Sequence, residues 1–187
     1  MKKRVFIFSL LVSLFLAIFF LSLPETHSIE SANVALQAPE ITGYRKWHRV
    51  TDKPVKLDAQ IAVMCAPASA AKLNISLHAE KYINVFVNNT GKQILLNDWS
   101  ASFPQGSMIV KEKMPDATTT QPELLTAMIK REAGFNPPSN DWEFLVLSGD
   151  GKQVIERGNL QKCITCHLAV RQQDLVYRNY LKTVRIR

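Results

Sequence analysis

The chain has 187 residues, of which 47% are hydrophobic and 21% charged. These values fit one globular domain and exclude a disordered tail or a fibrous repeat. The net charge is +7, but three of the 23 basic residues stand at positions 2–4. The remaining excess is too thinly spread to indicate a nucleic-acid surface. Three cysteines are too few for a disulfide framework.

Residues 1–28 have the pattern of a segment that directs export. Basic residues at positions 2–4 precede an uncharged run from Val5 to Leu23, and such a segment keeps its positive end in the cytoplasm. The run is longer than most cleaved signals and close to the ~20 residues that span a bilayer. A signal peptide and an N-terminal membrane anchor therefore remain open, and both predict a periplasmic or otherwise exported protein.

The next segments predict a linker followed by the domain proper. Residues 29–43 begin with small and polar residues and are assigned as the linker, and the domain is assigned to residues 44–187. Asp58 can cap a short helix. Residues 66–73 lack periodicity and are predicted as a loop.

Several segments have the composition of strands. Tyr82–Asn88 is rich in β-forming residues, and the Asn-Thr-Gly sequence after it predicts a turn. Met108–Met114 is a second predicted strand. Trp142–Leu147 is a third, followed by a Ser-Gly-Asp-Gly turn and a hairpin partner at residues 154–155. Residues 124–132 fit either a helix or a strand.

The last predicted element is helical. Residues 160–180 contain no Gly or Pro and predict a helix in one or two pieces. The connections between the predicted strands are too short for a series of parallel crossovers. The sequence therefore predicts an α+β fold, mainly antiparallel β-sheet with a few helices, one of them C-terminal.

This C-terminal helix carries the strongest functional signal, Cys163-Ile164-Thr165-Cys166-His167. Two thiols at this spacing can add to the two vinyl groups of a haem, and the adjacent imidazole then binds the iron. A zinc site would need more ligands, and the remaining cysteine, Cys65, is isolated. A thioredoxin-like pair would need a βαβ context. The motif predicts one covalent haem c, held by Cys163 and Cys166, with His167 as the metal ligand.

The position of the motif limits what binds the other side of the iron. Only 20 residues follow His167, and none of them is Met or His. We therefore expect any sixth ligand to come from the preceding sheet. An open sixth position indicates ligand binding or catalysis, and a filled one indicates electron transfer.

Short sequences in a consistent order accompany the haem motif along the chain. They are Tyr44-Arg45-x-Trp47, Val85-Phe86-Val87-Asn88, Phe103-Pro104-x-Gly106-Ser107, Val110-Lys111-Glu112, Asn140-Asp141-Trp142 and Asp174-Leu175-Val176-Tyr177. With them the chain resembles the cytochrome P-460 family, which includes the β-sheet cytochromes c-prime. The resemblance implies an antiparallel sheet over the haem, His167 as proximal ligand, an open distal pocket and often a homodimer.

The resemblance also implies a role for Lys111. In founding members a lysine on a strand is bonded to the porphyrin edge, and Lys111 stands at the matching position. The alternative is an ordinary strand lysine, with Lys113 on its face and Glu112 on the other. Oxidising members place an arginine and a glutamate near the distal site, where this chain has Ile83 and Thr126. Because these cannot replace a cation and a carboxylate as proton relay, hydroxylamine oxidation stays open.

The remaining candidate functional residues each have two interpretations. Arg45 is a candidate for binding a haem propionate or is a salt-bridged surface arginine. His48 and His78 are candidate sixth ligands or surface histidines. Cys65 fits a small buried residue or a link between two chains. The basic tail fits a solvated helix face or a docking site for an acidic redox partner; it comprises Arg178, Lys182, Arg185 and Arg187.

Together these features predict an exported monohaem c-type cytochrome that oxidises or binds small nitrogen species such as hydroxylamine or nitric oxide. Its expected partners are a small-molecule ligand at the iron and a soluble redox partner, without nucleic acid. The alternative is a non-catalytic gas-binding or electron-transfer haem protein. Whether the chain is an enzyme, a haem-dependent oxidoreductase, is left open.

Overall fold

The computed structural model describes residues 38–57 and 81–181. These residues contain seven strands: β1 His48–Arg49, β2 Val55–Leu57, β3 Lys81–Val87, β4 Met108–Met114, β5 Leu124–Lys130, β6 Trp142–Ser148 and β7 Val154–Gly158. They also contain two α-helices, α1 Asn89–Asn97 and α2 Gln161–His167. Single turns of 3-10 helix lie at Pro39–Ile41, Tyr44–Lys46, Pro137–Ser139 and Asn179–Leu181, and a longer 3-10 segment at Leu168–Gln173.

All strands join one antiparallel sheet, which confirms the predicted α+β class. From β3 to β7 each strand pairs with the next along the chain. β1 and β2 both pair with the other edge of β3. The segment left open between helix and strand is β5, in the middle of the sheet, where both neighbours supply hydrogen bonds that outweigh its weak helical preference.

The predicted turn after β3 is wrong, because helix α1 starts there. The Asn88 side chain accepts a hydrogen bond from the Gly91 backbone N–H at 3.1 Å and caps the helix. Asparagine is favoured both in turns and at helix N-termini, so the Asn-Thr-Gly sequence did not distinguish the two.

The helix predicted over residues 160–180 is only partly present. α2 ends at His167 and continues as the 3-10 segment Leu168–Gln173. Asp174 and Leu175 then have φ of 53° and 61°, in the left-handed region, which ends the helical path. The chain between them and Asn179 is irregular.

The alternation of side chains along the strands gives the sheet two buried faces. The α2 face carries Val85, Ile109, Met128 and Phe144 and packs against Ile164 of α2 and against Leu175, Val176 and Leu181. The N-terminal face carries Phe86, Val110, Ala127 and Leu145 and packs against Ala38, Ile41 and Tyr44. Because Ala38 and Ile41 are buried, packed structure begins before residue 44, where the sequence placed the start of the domain.

Several sequence predictions lie outside the described residues. They concern the export segment, most of the linker, the helix after Asp58, the loop at residues 66–73, Cys65, His78 and the last three basic residues of the tail. Within residues 38–57 and 81–181, no helix is long and apolar enough to cross a membrane.

Candidate functional site

Helix α2 presents both cysteines and the histidine to one cavity. The helix starts after Leu160, whose carbonyl accepts hydrogen bonds from the backbone N–H groups of Cys163 and Ile164 at 2.9 and 3.0 Å. Ile164 is buried in the core of the α2 face and fixes the rotation of the helix. The side chains of Cys163 and Cys166 are half-buried, and both line a cavity together with His167.

The ring of His167 is held in one tautomer. Its Nδ1 lies 2.6 Å from the Leu175 carbonyl oxygen, and because a carbonyl can only accept, Nδ1 carries the proton. Burial lowers the pKa of His167 to about 4; the hydrogen bond to Leu175 opposes this shift and the charge of Lys111 adds to it. The neutral ring therefore leaves Nε2 with a lone pair, which is the form that binds a metal.

Aromatic rings surround this imidazole. Phe144 and Tyr177 meet it edge to face, with centroids 5.2 and 5.3 Å away. The Tyr177 hydroxyl donates a hydrogen bond to the Cys166 carbonyl at 2.9 Å. The ring is thus held from two sides in addition to its Nδ1 bond.

The cavity lies between α2 and the sheet and is mainly apolar. Its sheet wall is formed by Ile109, Lys111, Thr126, Ala127, Met128, Phe144, Leu145 and Val146. A second cavity shares Lys111, Cys166 and His167 with the first and adds Leu57, Ile83, Tyr177, Asn179 and Tyr180. We call the two cavities together the cleft. Among its described lining residues there is no Asp, Glu or Arg.

Lys111 stands in the middle of the cleft wall. It pairs with Val85 on β3 and with Thr126 on β5, and it lines both cavities. It has no salt-bridge partner among the described residues. The predicted alternation is confirmed, since Lys113 shares this side of β4 and Glu112 faces the opposite side.

Arg45 is not in the cleft. Its Nε donates to Glu112 Oε1 at 2.7 Å on the N-terminal face, where the Tyr44 hydroxyl and Asn84 also bind this carboxylate. Of the two interpretations from sequence, the structure shows the salt-bridged arginine. His48 lies on β1, at the far edge of β3, and lines neither cavity.

The two positions matched to the distal arginine and glutamate lie on the cleft wall. Thr126 is directly beside Lys111 in the first cavity, and Ile83 is in the second. The strand register pairs Thr126 with Lys111, and Ile83 lines the second cavity together with Lys111; these positions carry a hydroxyl and an alkyl group instead of charged groups.

The prediction of a solvated helix face is wrong for Arg178. Its side chain is buried, its Nη1 donates to the Asp98 carbonyl at 2.9 Å, and its guanidinium lies over the rings of Trp99 and Phe103. Aromatic faces attract a guanidinium, so this arginine closes the core instead of facing water.

Sequence reasoning missed two features of the site. Met128 brings a thioether to the cleft wall, although its strand was not assigned from sequence. Asp174 is buried and anchors the segment that carries the Leu175 carbonyl. The Asp-Leu-Val-Tyr sequence was the only signal for this anchor, and its partners lie far away along the chain.

The residues of the cleft fit a covalently bound haem. Two half-buried thiols and a neutral imidazole whose Nε2 carries a lone pair stand on one helix, opposite a mainly apolar wall. This donor set and this spacing are consistent with a C-x-x-C-H haem site of the c type.

The comparison with known families agrees with this class. The family model described as Cytochrome P460 matches residues 41–178. The chain therefore belongs to the cytochrome P460 family, which implies a covalent c-type haem. No curated protein sequence matches the chain.

Proposed function

We propose that the chain is an exported monohaem c-type cytochrome whose distal side binds small uncharged nitrogen ligands, nitric oxide first among them. The observation that carries the proposal is the apolar cleft, in which no described lining residue is acidic or an arginine. Export rests on the pattern of residues 1–28 and on the family. A soluble redox partner and a homodimer remain predictions.

The charged side chains that line the described cleft are Lys111 and Lys162, and it is the apolar part of its wall that favours a small uncharged ligand. A bound haem would supply an iron centre that takes up diatomic ligands and exchanges single electrons. Cys163 and Cys166 would hold it and His167 would bind the iron through Nε2. Phe144, Val146 and other apolar side chains of the wall keep water out of the space beside it, which disfavours charged ligands.

Oxidation of hydroxylamine is the second candidate, and the position of Lys111 favours it. This amine projects into the cleft beside Cys166 and His167, as a cross-link to the porphyrin edge requires. The reaction also needs a group that accepts protons. Thr126 is a poor base, and burial raises the pKa of Tyr180, so neither group serves at neutral pH. These considerations rank oxidation below binding.

Absorption spectra of the purified ferrous protein, with and without carbon monoxide or nitric oxide, test the proposal. We expect the Soret band to move on addition of either gas. A spectrum indifferent to both would mean that a side chain fills the sixth position, and electron transfer would replace ligand binding as the function. In that case Met128→Leu tests the thioether as the sixth ligand.

The same spectra test the cross-link. A strongly red-shifted Soret band in the wild type, abolished by Lys111→Arg, would support a bond from Lys111 to the porphyrin. Lys113→Arg is the matched control, because this lysine is on the same strand and the same face but does not line the cleft. A normal band in the wild type would mean an unmodified haem.

Turnover separates the two candidates. We expect little reduction of an electron acceptor by hydroxylamine in the wild type. Thr126→Glu would place a carboxylate beside Lys111 and is expected to increase the rate, while Thr126→Gln, of similar size, is not. Rapid turnover in the wild type would instead make oxidation the function.

A further inference from the structure

A buried carboxylate anchors the segment that follows the α2 helix. Asp174 Oδ2 accepts hydrogen bonds from the Phe103 backbone N–H at 2.7 Å and from Lys130 Nζ at 2.8 Å. Its Oδ1 accepts from Asn140 Nδ2 at 2.9 Å and from the same ammonium at 3.0 Å. The main-chain carbonyl of Asp174 accepts from Trp142 Nε1 at 2.9 Å. These bonds tie the segment to strands β5 and β6 and to the loop before β4.

The backbone at this point has an unfavourable conformation. Asp174 and Leu175 are consecutive residues with positive φ. Aspartate tolerates this region, but a leucine adopts it rarely because its Cβ crowds the backbone. Such a conformation persists only where the surroundings impose it. Here the bonds to Asp174 and the fully buried Leu175 side chain do so.

The backbone carbonyl of Leu175 follows Asp174 along the chain and accepts the hydrogen bond from the imidazole of His167. The Leu175 carbonyl oxygen lies 2.6 Å from His167 Nδ1. The direction of this carbonyl follows from the φ and ψ of the two residues that Asp174 anchors. A strong acceptor at Nδ1 fixes the plane of the ring and makes Nε2 a stronger donor to a metal.

We propose that Asp174 is a positioning residue for His167, acting through the Leu175 carbonyl. The inference rests on the proposed function, in which His167 binds the haem iron. Asp174 touches neither the imidazole nor the cleft. Its effect is on the orientation and donor strength of His167, and Lys130, Asn140 and Trp142 hold it in place.

The full-length haem-loaded protein tests this proposal through the bond between iron and histidine. We expect Asp174→Ala to lower the iron–histidine stretching frequency in resonance Raman spectra of the ferrous form and to raise the reduction potential. Asp174→Asn keeps one acceptor oxygen and tolerates positive φ, so its shifts are expected to be smaller.

Loss of a buried ion pair elsewhere is the matched control. Glu123→Ala breaks the pair between Glu123 and the buried Lys81, 2.6 Å apart, on the same sheet but without contact to His167. This variant is expected to lower stability, as Asp174→Ala does, and to leave the stretching frequency and the potential unchanged. If Asp174→Ala also leaves both unchanged, Asp174 is a structural anchor only and the proposal is overturned.

Two further measurements keep the test decisive. If Asp174→Ala does not fold, Trp142→Phe removes the hydrogen bond to the Asp174 carbonyl while keeping an aromatic ring beside Phe103 and Lys130, and it is expected to shift the same bands in the same direction. If the wild type carries no haem, the proposed function fails, and ¹⁵N spectra of the haem-free chain still test the positioning. They should show His167 protonated at Nδ1 in the wild type and a mixture of tautomers in the Asp174 variant; identical spectra would overturn the inference.

Discussion

Neighbouring residues Lys111 and Glu112 point to opposite faces of β4 and differ in whether their charge is paired. Glu112 on the N-terminal face is bound by Tyr44, Arg45 and Asn84, all within 2.9 Å. Lys111 on the α2 face lies in the cleft without a salt-bridge partner among the described residues. The carboxylate of Glu112 is thus neutralised by its neighbours, whereas the amine of Lys111 stays available in the cleft.

A second group on the N-terminal face follows the same rule. Glu143 Oε1 accepts from Arg157 Nε at 2.8 Å and its Oε2 from Arg131 Nε at 2.7 Å. Both arginines also bind Glu40, at 2.9 and 2.7 Å. Two carboxylates and two guanidinium groups thus form one network of ion pairs. The charged groups of this face are engaged with one another, whereas the residues of the candidate site lie on the α2 face.

The largest effect is expected from the thiols of the α2 face. Replacing Cys163 and Cys166 together by serine removes both bonds to the vinyl groups, so denaturation in acid should release any haem that remains, whereas the wild-type pigment should stay with the chain. Thr165→Ala, between the two thiols and exposed, is the control and should keep the pigment. Covalent pigment in the double variant would refute the haem site.

On the N-terminal face, the largest loss of stability is expected from Glu143→Gln. It removes the charge of a carboxylate that binds two partly buried guanidinium groups, and breaking a buried ion pair costs about 3 kcal/mol. Urea unfolding measures this difference, and the haem spectrum should not change. Lys152→Gln, which breaks an exposed pair with Asp150, should cost no more than about 0.5 kcal/mol. Equal costs for the two would contradict the role assigned to this face.

Variants of Glu112 and Lys111 are expected to have smaller effects, on stability for Glu112 and on the spectrum or ligand affinity for Lys111. Glu112→Gln weakens three contacts and should cost about 2 kcal/mol of unfolding free energy without altering the spectrum. Lys111→Leu should change stability by less than about 1 kcal/mol but alter the spectrum or the ligand affinity. Leucine is used in place of the longer methionine because the thioether of methionine can bind haem iron. If Lys111→Leu lowers the free energy of unfolding as much as Glu112→Gln does, the difference proposed between the two faces is wrong.

The chemistry of the α2 face could be predicted from sequence because its signal is contiguous. Five adjacent residues, Cys163 to His167, specify the haem attachment and the proximal ligand. Strands β3, β4, β6 and β7 were also predictable, since their β-forming residues and the turn before β7 are local, whereas β1 and β2 were not predicted and β5 was left open. The alternation of Lys111 and Glu112 followed directly from the period of a strand.

The contacts that support this site could not be predicted, because their partners are far apart in sequence. Tyr44 and Glu112 are separated by 68 positions, and Lys130 and Asp174 by 44. No local pattern indicates such pairs. The same limit explains Arg178, whose charge suggested solvent although two aromatic rings from a distant loop enclose it. Helix α1 was missed for a different reason, because its capping sequence is also that of a turn.

The smallest expected effect is the loss, in acid, of the stability that Glu40 contributes. Burial would raise the pKa of Glu40, but hydrogen bonds from Arg157 and Arg131 outweigh it and lower the pKa from 4.5 to about 2. A carboxyl with a lower pKa in the folded state stabilises the fold above pH 4.5, and this contribution disappears as the pH falls from 4.5 to 2. The side chain is 28% exposed, so solvent screening reduces the contribution to about 1–2 kcal/mol.

Glu40→Gln should therefore be less stable than the wild type at pH 6, and the difference should shrink toward pH 2. Urea unfolding at several pH values measures it, and Glu132→Gln, an exposed glutamate outside the network, corrects for the change in net charge. A difference that is the same at all pH values would mean that Glu40 acts through packing alone. A difference that is present at pH 6 and is lost between pH 4.5 and 2 would instead show that paired charges stabilise the N-terminal face, since the partners Arg131 and Arg157 keep their charge throughout.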